Sequence, residues 1–325
     1  MGASSLTCST CPPVSLPTGQ VRAAVDASPV SRAPLTLESV HVNGCALAYL
    51  HGGNEQDPLV ICVHGFPDSP ATFKHLAPEL VRSGFRVVAP WLRGYPPSQV
   101  VAGPYQVAAL ARDVIALAEA LSPDRAAFLV GHDWGGMACY GAATLDPTRW
   151  ERAAVLSVPP TRVFRSFLAR DWDQQRASWY QFFFQQQSLA DAAVSADDFA
   201  FIERLWQSWS PGWAVDPEIL DAAKRTLREG FPAALNFYRD TWQAERQDPQ
   251  LADDQRRIID GPIKVPTMVL HGVQDGCILP GAFANAAQHF TGGHTIEAVK
   301  GVGHFLHLER PKVVNDKILS FLCQS

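Results

Sequence analysis

The chain has 325 residues, a length that allows two domains or one large domain with an insertion. It has 27 Lys and Arg residues against 32 Asp and Glu residues, so its net charge of −5 gives no electrostatic reason to expect nucleic acid or an anionic membrane as a partner. Hydrophobic residues make up 47% and charged residues 18%, too apolar for a disordered chain. No apolar run reaches the roughly 20 residues of a membrane span, so we expect a soluble, folded protein.

Seven cysteines are scattered along a chain far larger than the small domains that depend on disulfides. A reducing compartment is therefore the default, and we expect a cytoplasmic protein. Cys8 and Cys11 have the spacing of a metal or redox pair, but no second pair and no nearby histidine completes a zinc site. We interpret them as free thiols in a flexible N-terminal extension, residues 1–33, for which a transit peptide is the alternative, and expect no metal and no cofactor.

From residue 35, short β-rich runs alternate with helical runs, a pattern that predicts a mostly parallel sheet covered by helices. Residues 35–42 and 46–50 predict an opening strand pair around Asn43 and Gly44. The other predicted strands are 59–63, 85–89, 126–130, 153–158, 267–270 and 294–299. The predicted helices of this core are 70–83, 107–121, 134–145, 281–290 and 311–323.

The alternation stops between about residues 161 and 261, where the chain is helical, rich in Trp, Phe and Gln, and without a convincing strand. Ser195 and Asp216 begin segments typical of helix starts. We therefore predict an α/β core, residues 34–161 and 262–325, that is interrupted by a helical cap domain, residues 162–261.

The segment GHDWGG, residues 131–136, follows a predicted strand and precedes a predicted helix, which is the context of a nucleophile elbow. Asp133 has the position of the nucleophile. Such a turn strains its central residue, and Gly131 and Gly135 have to be small so that its two arms can approach each other. An Asp that only caps the next helix is the alternative, but capping does not require a glycine on each side.

The segment His64, Gly65, Phe66 and Pro67 follows the preceding central strand. A backbone N–H at this place can face developing negative charge, so we predict an oxyanion hole made by the N–H groups of Phe66 and Trp134, each worth roughly 3 kcal/mol. An ordinary turn of Gly and Pro is the alternative, and only the pairing with the elbow makes the motif informative. We expect the Phe66–Pro67 bond to be cis.

A base and its orienting acid should come later, in the order nucleophile, acid, histidine. Asp275 follows the predicted strand 267–270, and His304 follows the predicted strand 294–299. Both lie at strand ends, where open α/β sheets bind ligands. A lone histidine is more often structural than catalytic, so its position decides for His304. An acid directly after strand 153–158 could replace Asp275, but none is present there.

With these motifs the chain resembles the α/β-hydrolases, and among them the soluble epoxide hydrolases, over about residues 35–323. The segments HGFPDS and GHDWGG and the late Asp and His are shared with haloalkane dehalogenases, so they indicate the superfamily better than the substrate. The resemblance implies an α/β-hydrolase core with a mostly parallel eight-stranded sheet, flanking helices and a helical cap.

Two tyrosines of the insertion resemble the lid tyrosines of epoxide hydrolases: Tyr180 in WYQFFFQ and Tyr238 in LNFYR. Opening an epoxide produces an alkoxide, and a phenol with a pKa near 10 is protonated at neutral pH and can donate to it. Aromatic residues on a helix usually pack in a core, which is the alternative for each tyrosine alone. Because both motifs are present, we predict that the pair donates protons and contributes roughly a hundredfold or more.

The predicted reaction converts a small apolar epoxide into a vicinal diol. Asp133 forms an ester with the substrate, and His304, oriented by Asp275, activates the water that hydrolyses this ester. A haloalkane dehalogenase is the nearest alternative because Trp134 could hold a halide, although those enzymes commonly carry Asn in place of Phe66. A fluoroacetate dehalogenase would carry Arg in place of Trp134, and Asp133 excludes a serine esterase.

A catalytically silent receptor that uses the cavity is the alternative from another class, although such proteins usually lose part of the machinery. We expect a monomer or a homodimer with no nucleic-acid partner and no membrane span.

Overall fold

The computed structural model describes residues 35–324. The chain divides into two units, residues 1–33 and residues 34–325. The predicted flexible extension and the pair Cys8 and Cys11 lie outside the described residues, so these two interpretations remain predictions.

The described chain contains one eight-stranded sheet, built from β1 (Thr36–Val42), β2 (Cys45–Gly52), β3 (Leu59–Val63), β4 (Arg86–Pro90), β5 (Ala127–His132), β6 (Trp150–Leu156), β7 (Thr267–Gly272) and β8 (His294–Val299). The strand order is β1-β2-β4-β3-β5-β6-β7-β8. β2 is antiparallel to both β1 and β4, whereas all pairings from β4 to β8 are parallel. The predicted mostly parallel eight-stranded sheet is therefore confirmed.

The helices are α1 (Ala77–Arg82), α2 (Val107–Leu121), α3 (Trp134–Leu145), α4 (Thr161–Leu168), α5 (Trp172–Ala177), α6 (Trp179–Phe183), α7 (Gln187–Trp209), α8 (Pro217–Gly230), α9 (Asn236–Trp242), α10 (Ala252–Asp260), α11 (Leu306–Glu309) and α12 (Pro311–Leu322). Helices α4 to α10 all lie between β6 and β7, and we call this part of the chain the helical insertion. Within residues 35–324, no helix is both long enough and apolar enough to cross a bilayer.

Helices cover both faces of the sheet. In β3, Leu59, Ile61 and Val63 belong to one buried apolar cluster, whereas Val60 and Cys62 belong to another. The first cluster includes residues of α2 and α3, and the second includes residues of α1 and α12. A strand buried on both faces has to be apolar throughout, which explains the uninterrupted apolar run that predicted β3.

The prediction of a single helix over residues 281–290 is wrong. The structure has two 3₁₀ turns there, Pro280–Phe283 and Ala286–His289. Gly281 and Asn285 are poor helix formers, and the backbone at Asn285 leaves the helical region at φ −112°. Similarly, residues 70–83 begin with a 3₁₀ turn, and α-helical geometry starts only at Ala77.

The two predicted helix starts of the insertion had different outcomes. Asp216 caps α8, because its carboxylate accepts the N–H of Glu218 at 2.9 Å. Ser195 lies directly before residues 196–199 of α7, whose dihedral angles are not helical and which separate two helical stretches, one that begins at Gln187 and one that ends at Trp209. The sequence signal at Ser195 therefore marks the break that precedes the second helical stretch.

Candidate active site

Asp133 lies on the sharp turn between β5 and α3. Its backbone has φ 51° and ψ −121°, a strained conformation for any residue with a side chain. A Cβ added to Gly131 would lie 2.5 Å from the carbonyl oxygen of Gly135, and one added to Gly135 would lie 2.0 Å from that of Val63. The close approach of the two arms of this turn therefore requires a glycine at 131, whereas Gly135 is required because the end of β3 passes against the start of α3.

The loop after β3 contacts the carboxylate of Asp133. The N–H of Phe66 donates to Asp133 Oδ1 at 2.8 Å. A Cβ on Gly65 would lie 2.4 Å from the same oxygen, so this approach also requires a glycine. The peptide bond between Phe66 and Pro67 is cis, which confirms that prediction. Trp134 is the first residue of α3, where a backbone N–H has no partner inside the helix.

The side chain of His64 holds this loop in place by hydrogen bonds. Its Nδ1 lies 2.8 Å from the carbonyl oxygen of Gly65, and its Nε2 accepts the N–H of Leu92 at 3.1 Å. These partners fit a neutral imidazole that carries its proton on Nδ1. Burial lowers the pKa of His64 to about 4, so the ring stays neutral and holds the loop in place.

His304 and Asp275 form a buried pair beside Asp133. His304 Nδ1 lies 2.9 Å from Asp275 Oδ2, and His304 Nε2 lies 3.7 Å from Asp133 Oδ2. The other oxygen of Asp275 accepts the N–H groups of Cys277 at 2.7 Å and of Ile278 at 2.9 Å. These two bonds fix the carboxylate, which in turn fixes the orientation of the imidazole.

The charges around His304 favour its protonated form. Burial opposes the imidazolium, but the carboxylates of Asp275 and Asp133 outweigh this effect and raise the pKa of His304 to about 10. Because Asp133 is one of the two causes, converting its carboxylate into a neutral ester would lower the pKa of His304. The imidazole would then become available as a base only after Asp133 had reacted.

Tyr180 on α6 and Tyr238 on α9 lie side by side, with ring centroids 5.6 Å apart and ring planes at 87°. The hydroxyl of Tyr180 lies 3.2 Å from Cys277 Sγ and accepts a weak hydrogen bond from Gln181 Nε2 at 3.4 Å. Burial raises the pKa of both phenols well above their usual range. Both are therefore protonated at neutral pH and can act as donors.

Tyr238 packs against the residues around Asp133. Its ring contacts the rings of Phe66 and Trp134 edge-on, each at 5.1 Å. The hydroxyl is buried, and no described residue reaches it with ordinary hydrogen-bond geometry. Burial and the charge of Asp133 raise its pKa against a weaker opposing effect of the Trp134 side chain. This phenol is a buried donor without a fixed acceptor.

One cavity connects the carboxylate with both phenols. It has a volume of about 210 Å³ and is lined by Asp133, Tyr180 and Tyr238. The remaining lining is mixed, with apolar side chains such as Trp134, Met137, Phe164 and Ile278 and polar ones such as Gln181, Asp240 and Gln255. A carboxylate and two protonated phenols thus face the same cavity.

Sequence reasoning missed two side chains of this site. Cys277 contacts the hydroxyl of Tyr180, and its position two residues after Asp275 was the only signal that could have indicated it. The ring of Trp209 lies 5.3 Å from that of His304 and 4.9 Å from that of Tyr180. Trp209 is far from both along the chain, so no local pattern could have indicated its contacts.

Among residues 35–324, two buried groups offer ligand atoms within 4.8 Å of one another, and these groups could hold a metal ion. One consists of the pair described above together with Cys277. The other lies behind His304, where His132 Nε2 lies 3.0 Å from the carbonyl oxygen of His304. Its members are Asp68, His132 and His307. That the protein binds no metal and no cofactor remains a prediction.

Residues 58–311 match the family model described as alpha/beta hydrolase fold. Epoxide hydrolase A of Mycobacterium tuberculosis is 28% identical over 87% of this chain and 96% of that protein. Epoxide hydrolase 1 of Caenorhabditis elegans is 27% identical over 85% of this chain and 67% of that protein. The crystal structure of Epoxide Hydrolase A from Mycobacterium thermoresistibile has a TM-score of 0.73 at 27% identity, covering 89% of this chain and 98% of that chain.

Proposed function

The chain belongs to the α/β-hydrolase fold family, and on that premise we propose that it hydrolyses epoxides to vicinal diols through an ester on Asp133. The names of its relatives support this reaction. The observation that carries the proposal is the single cavity that holds the carboxylate of Asp133 and the phenols of Tyr180 and Tyr238. A carbon electrophile with an adjacent oxygen that must accept a proton is the substrate that this combination fits.

In the first step, a carboxylate oxygen of Asp133 attacks an epoxide carbon from the side opposite the carbon–oxygen bond that breaks. Tyr180 and Tyr238 donate to the epoxide oxygen, and one of them transfers its proton as the alkoxide forms. The product is an alcohol bound to the enzyme as an ester. Because a carboxylate attacks without help from a base, His304 is not needed in this step.

In the second step, His304 removes a proton from water, which attacks the carbonyl carbon of the ester. The N–H groups of Phe66 and Trp134 stabilise the negative oxygen of the tetrahedral intermediate. The bond between the carbonyl carbon and the ester oxygen, which came from Asp133 and is bonded to the substrate's carbon, then breaks, and this oxygen takes the proton from His304. Asp133 returns to its carboxylate, and the proton it releases restores the phenol.

Two alternatives make different products. A haloalkane dehalogenase would use the same nucleophile and base, but a leaving halide needs no proton, which leaves the two buried phenols without a task. A silent receptor would bind ligands and release nothing. Incubation with epoxides and haloalkanes, followed by analysis of diol and halide, separates the three. Diol formation that Asp133→Ala abolishes supports the proposal, whereas halide release or binding alone overturns it.

We also propose a domain organisation and a cellular location. Residues 162–261 form the cap that carries both phenols, and residues 34–161 and 262–325 form the core. Among the described residues, Cys45, Cys62, Cys139, Cys277 and Cys323 are free thiols, which supports a reducing, cytoplasmic location. A monomer or a homodimer remains the prediction for the oligomeric state.

A further inference from the structure

The end of α7 contacts both loops that carry the proposed base and its orienting acid. The carbonyl oxygen of Trp209 accepts the N–H of Gly276 at 3.0 Å and the N–H of His304 at 3.1 Å. Gly276 directly follows Asp275 in the chain. One carbonyl oxygen of the helical insertion therefore holds both the loop of Asp275 and the backbone of His304.

Ser210, which follows α7, fixes the residues on either side of His304. Its Oγ accepts the N–H of Phe305 at 3.1 Å and donates to Glu309 Oε1 at 2.7 Å. Both carboxylate oxygens of Glu309 lie 2.9 Å from the backbone nitrogen of Gly303, which donates to them. Ser210 itself is fully buried. Ser210 thus holds the loop around His304 in two ways, by its direct bond to Phe305 and through Glu309, which bonds Gly303.

Two glycines independently indicate that the end of α7 packs closely against these loops. A Cβ on Gly276 would lie 2.1 Å from the carbonyl oxygen of Ser208, and a Cβ on Gly303 would lie 2.5 Å from the Cα of Ser210. Real Cβ atoms essentially never come within 3.0 Å of another heavy atom. Each loop therefore carries a glycine where the backbone of the α7 end passes.

We propose that the end of α7, residues 208–210, is a positioning element for hydrolysis of the ester, and the proposal rests on the proposed function. It holds His304 Nδ1 at 2.9 Å from Asp275 Oδ2 and thereby directs Nε2 toward the water that attacks the ester. Asp133 is instead positioned by β5, α3 and the N–H of Phe66. Trp206, one turn earlier on α7, donates its Nε1–H to the carbonyl oxygen of Pro67 at 3.2 Å, but Ser210 forms its described side-chain hydrogen bonds only with Phe305 and Glu309. Disturbing Ser210 should therefore slow the second step and spare the first.

The test is Ser210→Ala, with Ser98→Ala as the matched control. Ser98 is also buried, and its Oγ likewise accepts one backbone N–H, that of Ala48, and donates to the carbonyl oxygen of Trp91 at 2.7 Å, with a longer contact of 3.5 Å to that of Ala48. Rapid-quench single turnovers give the rates of ester formation and ester hydrolysis separately. For Ser210→Ala we expect hydrolysis to slow by roughly tenfold or more, because small misplacements of catalytic groups have effects of this size.

Ester formation should stay within about twofold of the wild-type rate in both variants. When hydrolysis limits turnover, kcat and KM of Ser210→Ala should fall together and leave kcat/KM unchanged. A purely structural serine would instead behave like Ser98→Ala, with a lower melting temperature and unchanged partitioning between the two steps. That result, or an equal loss in both steps, would overturn the proposal.

Gly303→Ala provides a second variant, with Gly261→Ala as its control. A Cβ on Gly261 would also meet a backbone carbonyl, at 2.5 Å from the oxygen of Arg257, but away from the catalytic loops. Only Gly303→Ala should show the selective loss of hydrolysis. If mass spectrometry finds no ester on Asp133 even in His304→Gln, the proposed function fails. If the ester forms but partitioning is unchanged, only the role of α7 fails.

Discussion

Replacing Tyr238 by Phe should slow formation of the ester without lowering stability. The hydroxyl of Tyr238 is buried, and no described residue bonds to it with ordinary geometry. An unsatisfied buried polar group costs about 1–3 kcal/mol. Removing it should therefore leave the free energy of unfolding unchanged or raise it by about 1 kcal/mol, which corresponds to a melting temperature higher by roughly 1–2 °C in a chain of about 300 residues.

Although Tyr238→Phe should not lower stability, it should lower the rate of ester formation. General acid catalysis contributes typically 10²–10⁴ in rate, and one of two equivalent donors carries about the square root of that factor. Tyr238→Phe should therefore slow ester formation by roughly 10- to 100-fold. Tyr180 remains as the second donor, although its hydroxyl also contacts Cys277. Hydrolysis of the ester, which uses His304, should be unchanged.

Single turnovers with excess enzyme measure ester formation, and thermal unfolding measures stability. Tyr95→Phe is the matched control, because the hydroxyl of Tyr95 is also buried without a described partner, but the residue does not line the cavity. It should change stability like Tyr238→Phe and leave the rate unchanged. A Tyr238→Phe enzyme with the wild-type rate of ester formation, or one whose rate loss accompanies unfolding, would refute the reasoning.

His304→Gln should form the ester but not hydrolyse it, so a burst of about one equivalent and an adduct on Asp133 are expected by rapid quench and mass spectrometry; normal turnover would contradict this role. The pKa of His304 is about 10 in the folded protein and about 6.5 unfolded, so its contribution to stability is complete below pH 6.5 and lost as the pH rises toward 10. Urea unfolding from pH 6 to pH 10 should therefore show a steeper loss for the wild type than for His304→Gln, and identical slopes would count against the shift. Gly65→Ala places a Cβ 2.4 Å from Asp133 Oδ1 and should lower kcat by about 100-fold or more with a native circular dichroism spectrum, whereas full activity would contradict the role of this approach.

The parts of the site that follow strand ends could be predicted from the sequence. Asp133, Asp275 and His304 each come after a different strand of a mostly parallel sheet, and the carboxyl ends of such strands meet at one edge. In the structure, Asp275 is in direct contact with His304, and a carboxylate oxygen of Asp133 lies 3.7 Å from Nε2 of His304. Local glycine patterns around Asp133 added to this signal, because tight turns leave a mark in the residues next to them.

Contacts between distant segments could not be predicted. The packing of Trp209 against His304 depends on how the helical insertion lies on the core, and neither residue carries a signal of the other. The same holds for Cys277 and Tyr180, which lie on different segments. The prediction of a helix over residues 281–290 was wrong for a different reason. Residues such as Asn285, which favour short turns, interrupt the apolar pattern of helical spacing there.

The central claim is that the substrate's carbon becomes bonded to an oxygen of Asp133. A single turnover in ¹⁸O-labelled water with enzyme in excess tests it most directly, with mass spectrometry of the diol and of the peptide that contains Asp133. We predict that the first diol released is unlabelled and that the label enters the carboxylate. Label in the first diol, with an unlabelled carboxylate, would mean that water attacks the epoxide directly and would contradict the account.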